Sequence, residues 1–303
     1  MKRRHTILGI VGIVALLIGV GYWLLSGQHF ALLQPSGDVA AQQRNLIFLT
    51  VGLSLIVVIP VFTMLITFAW RYREDNKKAN YQPNWSENNT LEVIWWGIPI
   101  AIIGCLAMIT WFTSHSLDPY RPLESSKKAT EVQVVALQWK WLFIYPEYGV
   151  ATVNQLPMEV DRPVHFTLTA NAPMSAFWIP SLGTQIYTMN GMKSQLNLVA
   201  NKVGEYDGYN TNINGAGYSK MKFTAKALSE KDFQAWVKNA KQSSKTLTME
   251  SYRTLSTPGT ANAETYILSD TTLYDTIVHE GMMGTGGQTE QPMKHDMEGM
   301  HHE

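Results

Sequence analysis

Three apolar runs dominate the first third of the chain, over residues 7–25, 46–70 and 93–112. The second and third are long enough to cross about 30 Å of hydrocarbon as helices. Pro60 and Pro99 lie inside them, and spanning helices tolerate proline better than soluble ones do. The first run follows Lys2, Arg3 and Arg4, the pattern of a signal peptide or a signal anchor. Residues 1–27 are therefore expected to be one or the other, and residues 44–114 a two-helix hairpin. After a linker rich in Pro, Ser and Lys (118–130) the period changes. The stretch "EVQVVALQWKWLFIYP" alternates and is rich in Val, Trp and Phe, so it reads as one strand with Trp139 and Trp141 on the same face. Shorter strands are expected at 164–169, 176–179, 185–189, 195–199 and 220–225. Together they predict a compact all-β sandwich over 130–228. A helical extension follows over 229–280. Ser229 caps its first helix, with Asp232 at the capping-box position and Phe233, Trp236, Val237 and Ala240 on one apolar face. Further helices are expected near 249–255 and 273–280. Residues 281–303 are Gly, Met and His without a core pattern, and are expected to stay disordered.

Charge gives the hairpin an orientation. Arg71, Arg73, Lys77 and Lys78 lie between the second and third runs, which places that loop in the cytoplasm. Residues 26–44 and everything after 114 then lie outside. Trp70, Trp95, Trp96 and Trp111 fall near the ends of the runs, as an aromatic belt requires. Lys+Arg and Asp+Glu both total 24, and this balance argues against a nucleic-acid partner. Cys105 is the single cysteine, so neither a disulfide framework nor a Cys-rich metal site is available.

One stretch asks for chemistry. "EYDGYNTNINGAGYSKM", residues 205–221, has the rhythm of a metal loop at the rim of a β-sandwich: glycines, an i, i+2, i+4 run, then a polar side chain and a methionine. Yet the run carries Asn210, Asn212 and Asn214, and the polar side chain is Tyr218. A copper site on such a scaffold takes thiolate, imidazole and thioether. No cysteine stands outside the apolar runs, and no histidine between His165 and His279. Taken alone, the stretch is an ordinary polar hairpin loop.

It does not stand alone. Two apolar helices come first, then "ALQWKWLFIYPEYG", "FWIPSLGTQIYTMNGM" and "GYNTNINGAGYSKM". In this order the chain resembles subunit II of the haem–copper oxidases, and among them the cytochrome bo-type branch that oxidises ubiquinol. The resemblance implies a cupredoxin-like sandwich. It sets Asn210 and Asn214 at the family's two cysteines, Asn212 at its carboxylate, Tyr218 and Ser175 at its two histidines, and Met221 at its methionine. A dinuclear copper pair accepts electrons from a soluble cytochrome; an oxidase fed by a quinol inside the membrane has no need of one. The chain is therefore expected to bind no metal at this loop, and the haems and copper to lie in a partner, subunit I.

The resemblance also bears on Glu92. By itself, a carboxylate at the start of a spanning helix is a residue that suits the helix dipole. In the family, a glutamate at the matching place lines the entrance to a proton channel of subunit I. The aromatic that matches Trp139 or Trp141 passes electrons to copper in cytochrome c oxidases; with no acceptor here, both tryptophans are expected to be structural. Close relatives carry a lipid-bearing cysteine after the first run, where this chain has Gln28, so no lipid is expected. The tail holds His295, His301 and His302 with Met282, Met283, Met293, Met297 and Met300, ligands able to hold copper weakly, but a solvated tail is the simpler expectation. The reading is a non-catalytic subunit of a ubiquinol oxidase in a bacterial inner membrane, its β domain periplasmic. The rival is a membrane-tethered copper-handling module on a degenerate cupredoxin scaffold.

Overall fold

The computed structural model describes residues 30–74, 76 and 87–284, with isolated positions 16, 19 and 20. The expected signal or anchor helix, Gln28, Lys77, Lys78 and the tail beyond 284 lie outside the described residues.

Helix α1 (Asp38–Arg71) has 34 residues and α2 (Asn89–Ser116) has 28. Both are long and apolar enough to cross a membrane, and none of the apolar stretch of either is buried. Side chains such as Phe62, Ile66, Ile100 and Trp111 face outward, which suits lipid or partner helices and not water. At 1.5 Å per residue α1 is about 50 Å long, against about 30 Å of hydrocarbon. About 12 Å of the surplus, residues 38–45, precedes the apolar run and forms a foot on the β domain. The Ser36 N–H donates to the Ser181 carbonyl (2.8 Å), the Ala40 N–H to that of Leu182 (3.1 Å), and the Asn201 N–H to that of Ser36 (2.8 Å). Val39 and Ala40 are buried, and the Gln43 amide donates to the Thr184 hydroxyl. Gly37 is obligatory, because a Cβ there would lie 2.4 Å from the Val199 carbonyl oxygen.

The linker after α2 is fixed too. The Asn197 N–H and side-chain amide both donate to the Pro119 carbonyl (3.2 and 3.0 Å), and Asn197 Oδ1 pairs with His165 Nδ1 at 2.8 Å. Further on, Lys127 Nζ reaches Glu159 at 2.7 Å and Arg162 holds its other oxygen at 3.2 Å. Arg162 Nε also donates to the Lys128 carbonyl (2.8 Å).

Two sheets follow. The strands are β1 (Thr130–Leu137), β2 (Lys140–Tyr145), β3 (Val150–Val153), β4 (Gln155–Glu159), β5 (Val164–Ala170), β6 (Ser175–Trp178), β7 (Ile186–Thr188), β8 (Ser194–Leu198), β9 (Gly204–Asn210), β10 (Lys222–Leu228), β11 (Thr246–Leu247) and β12 (Glu264–Leu268). One sheet runs β11-β12-β3-β2-β1-β5-β8, the other β4-β10-β9-β6-β7. Between them lies an aromatic core of Trp141, Phe143, Phe166, Phe177 and Phe223, with Phe177 and Phe223 stacked at 5.0 Å.

The stretch expected as one strand is a hairpin. β1 and β2 pair antiparallel, with Leu137 opposite Lys140. Trp139 takes φ +71° in the turn, so Trp139 and Trp141 do not share a strand face. All six residues of β2 are buried, because this sheet is covered on both sides. Its outer face (Val135, Leu137, Leu142, Ile144, Ala151, Val153) meets Tyr252, Leu273, Tyr274, Ile277 and Val278 of the extension. The extension's helices form as expected: α3 (Glu230–Ala240), α4 (Met249–Ser256) and α5 (Leu273–Met282), with the Ser229 hydroxyl accepting the Asp232 N–H. The strands between them were not legible. β12 pairs with β3, so the extension widens the sheet as well as covering it.

Glu159 is 3% exposed. Burial by itself would raise its pKa, but hydrogen bonds from Lys127 and Arg162 outweigh this and hold it below the ordinary carboxylate value of 4.5. A depressed carboxylate pKa means stability that is present above about pH 4.5 and lost as pH falls through the native value. Glu159→Gln should cost about 2 kcal/mol, less than the full penalty for breaking a buried pair because Lys127 keeps contact with water. Thermal unfolding of the full chain in detergent should show this loss at pH 7 and a smaller gap between variant and parent below pH 4.5.

Candidate functional site

The loop joining β9 to β10 folds back on the start of β6. Asn210 ends β9 and is buried. Its Oδ1 accepts the N–H groups of Ala176 (2.9 Å) and Asn212 (3.0 Å), and its Nδ2 donates to the Asn212 carbonyl (2.9 Å). Asn212 Nδ2 donates in turn to the Met174 carbonyl (2.7 Å). Asn214 is buried, and its Nδ2 donates to Ser175 Oγ (2.8 Å) and Met221 Sδ (3.6 Å). The Ser175 hydroxyl donates to the Pro173 carbonyl (3.2 Å), which leaves its lone pairs for Asn214 and fixes the orientation of that amide. Asn214 Oδ1 has no hydrogen-bond partner.

The structure thus brings Ser175, Asn210, Asn212, Asn214 and Met221 into one network. It leaves out Tyr218, which sits on a single 3₁₀ turn (Tyr218–Lys220) and is 38% exposed. The network does not fit a copper pair. The group aimed at the Met221 sulfur is an amide NH₂, a donor with no lone pair to offer a metal. Thiolate and imidazole are both missing, and among the described residues no three His, Cys, Asp or Glu side chains gather.

Trp139 belongs to the site as well, which periodicity alone did not show. A Cβ at Gly217 would lie 2.2 Å from Trp139 Cδ2, and one at Gly215 would lie 3.3 Å from Cζ2. The two glycines let the loop lie flat beneath the indole. The signal in the sequence was the run "NGAG", small residues that need a large neighbour.

Glu92 lies far from this loop in the sequence, in the first turn of α2, and is exposed. The capping there is done by Asn88, whose side chain accepts the N–H groups of Thr90 and Leu91 (3.1 Å each).

A family model described as cytochrome c oxidase subunit II, periplasmic domain, matches residues 150–228. The chain is 48% identical to a cytochrome bo(3) ubiquinol oxidase subunit 2 of Pseudomonas putida, over 86% of this chain and 81% of that one. The chain belongs to the ubiquinol oxidase subunit 2 family. A second member, from Pseudomonas aeruginosa, is 46% identical over 81% of this chain and 74% of its own. The ubiquinol oxidase subunit 2 of Acetobacter aceti is 45% identical over 84% of each. As a ubiquinol oxidase subunit 2, the chain is one subunit of an oxidoreductase of the haem–copper class, and the reading as a separate copper-handling module is not favoured.

Two predictions follow from the loop geometry. Asn210→Ala leaves the buried Ala176 N–H unpaired and should cost about 2 kcal/mol, whereas Tyr218→Ala should change stability by no more than about 0.5 kcal/mol; urea titration of both variants checks the contrast. Gly217→Ala should destabilise the chain through the clash with Trp139, and Trp139→Ala in the same chain should recover part of the loss, since Gly217 has φ −96° and no backbone strain of its own. If the double variant is no more stable than Gly217→Ala alone, the indole is not what confines that glycine.

Proposed function

We propose that this chain is the non-catalytic subunit II of a proton-translocating ubiquinol oxidase, packed against a haem-bearing subunit I in a bacterial inner membrane. Family membership carries the reading. Haems and copper of subunit I supply the electron transfer and the reduction of O₂ to water, with ubiquinol as donor. This chain's own residues mount and shape. The bare faces of α1 and α2 give partner helices a surface. The foot of α1 and the Pro119–Asn197 clamp hold the β domain against the hairpin's ends remote from the α1–α2 turn; the charge of Arg71 and Arg73 supports that turn in the cytoplasm and hence the domain on the outer side. The loop 210–221 keeps a cupredoxin-like path through amide hydrogen bonds, because electrons arrive from a quinol within the membrane and need no soluble cytochrome.

We assign Glu92 to the entrance of a proton path. Asn88 already caps α2, so what is left for Glu92 in a purely local role is a dipole term of about 0.3–1 kcal/mol. An ionisable group at the membrane edge is a functional candidate in its own right. Glu92→Gln keeps size and hydrogen bonding but cannot exchange a proton. In the complex purified in mild detergent, quinol-driven oxygen uptake at equal haem content should be slower for Glu92→Gln, with normal assembly. Rates equal to the parent's across the pH range would return Glu92 to a local role. Failure of the chain to co-purify with any haem protein would overturn the wider reading.

A further inference from the structure

We propose that the loop at 210–221 is a docking element, with Ile213 as the anchor of an uncharged apolar patch that seats on the outer surface of the haem-bearing partner subunit. The inference rests on the reading of this chain as subunit II and is independent of the role given to Glu92.

Residues 166–192 and 208–219 carry no Asp, Glu, Lys, Arg or His. The two stretches meet at one end of the sandwich. The Thr211 N–H donates to the Ala176 carbonyl (3.2 Å), and the Asn212 side-chain amide donates to the Met174 carbonyl (2.7 Å). Tyr187 stands opposite Ala176 in the register of β6 and β7. The backbones that carry Met174, Tyr187 and Ile213 are thus tied side by side. All three side chains are exposed, and Ile213, at 75%, is more exposed than any other large apolar side chain among the described residues. Neighbouring contacts locate the patch. The Thr211 hydroxyl donates to Gln185 Oε1 (2.7 Å). The adjacent Thr184 hydroxyl accepts the Gln43 amide of α1, and the apolar run begins just beyond, at Leu46. The patch therefore borders the point where α1 leaves the domain for the membrane.

Water, lipid headgroups and protein ask different things of such a surface. An apolar patch without charge is poorly suited to water. Headgroups present phosphates, and surfaces that sit on them carry Lys or Arg; these stretches have neither. The centre of a protein interface is depleted of charge and enriched in Met and aromatic residues, which is the composition here. The anchor is also held in place beforehand. Asn210 bonds to Ala176 on one side of Ile213 and Asn214 to Ser175 on the other, so seating the side chain orders little that is not ordered already. A loop without copper then has a reason to keep its path. It presents Ile213 beside α1 and carries the contact with the partner from the membrane out onto the β domain.

The test uses the complex assembled in its own membrane, with Ile213 replaced by the photoreactive residue p-benzoylphenylalanine. Illumination should join this chain to the haem-bearing subunit, and mass spectrometry of the adduct should locate the link on that subunit's outer surface. In a second experiment Ile213→Asp, which brings a charge to an apolar contact, should weaken the association by about tenfold or more, read as haem retained per chain on dilution in mild detergent. Ile213→Val should retain haem like the parent. The side chain is exposed in this chain alone, so folding is kept in both variants, and near-ultraviolet circular dichroism verifies it. A link to lipid only, no link at all, or haem retention unchanged by Ile213→Asp would each overturn the docking role while leaving the subunit reading intact. A parent chain that retains no haem would overturn both.

Discussion

The docking of the first turns of α1 on the β domain is the constraint from which the rest of the architecture follows. Its hydrogen bonds run from backbone to backbone, through Ser36, Ala40 and Asn201, so they hold the helix direction as well as its position. Gly37 makes the contact possible, since any side chain there would strike the Val199 and Leu182 carbonyls. A helix that emerged from the membrane without this foot would carry the domain on a flexible stalk. With it, and with Pro119 held by Asn197 just after α2, the start of α1 and the segment that follows α2 are pinned to the same domain. Whatever faces a partner in the membrane is then fixed relative to the sandwich.

The loop at 210–221 is held by side-chain amides at the positions where the family resemblance sets copper ligands. A copper pair would cross-link the two ligand stretches with strong bonds. Here the link between β6 and the loop is made by Asn210 to Ala176 and by Asn214 to Ser175. Each such bond contributes about 1 kcal/mol net, but breaking one leaves a buried polar group unpaired and costs more than that. Trp139 adds a packing restraint from above, which the loop accommodates with Gly215 and Gly217.

The extension changes the nature of the seven-stranded sheet. A sandwich sheet usually faces water on its outer side and reads as alternating apolar and polar residues. Here Tyr252, Leu273, Tyr274, Ile277 and Val278 cover that side, and β12 lengthens the sheet by pairing with β3. The second core places the end of α5 against the turn at Gly191, where a Cβ on Gly281 would lie 2.6 Å from the Gly191 nitrogen.

Some of this was decided by the sequence itself. The two long apolar helices, the strand-rich middle and the cap at Ser229 follow from local composition and spacing, which act over a few residues. Burial on both faces erased the alternation of β2, so "QWKWLFIYP" gave no sign of its turn at Trp139. β3, β4, β9, β11 and β12 are not legible in the pattern: the residues of β9 read as the start of the polar loop, and β4 and β12 owe their pairing to β10 and β3, distant in sequence. Tyr218, which the resemblance sets at a histidine, stays outside the network, since a spacing in sequence does not specify which way a 3₁₀ turn presents its side chains. The foot of α1 lies before the apolar run, and its contact with residues 181–201 has no local signal in the sequence. Gly191 and Gly281 are far apart in the chain, and only the packing of α5 brings their backbones together. Residue type and near-neighbour spacing were enough for the elements, while long-range packing decided which elements meet.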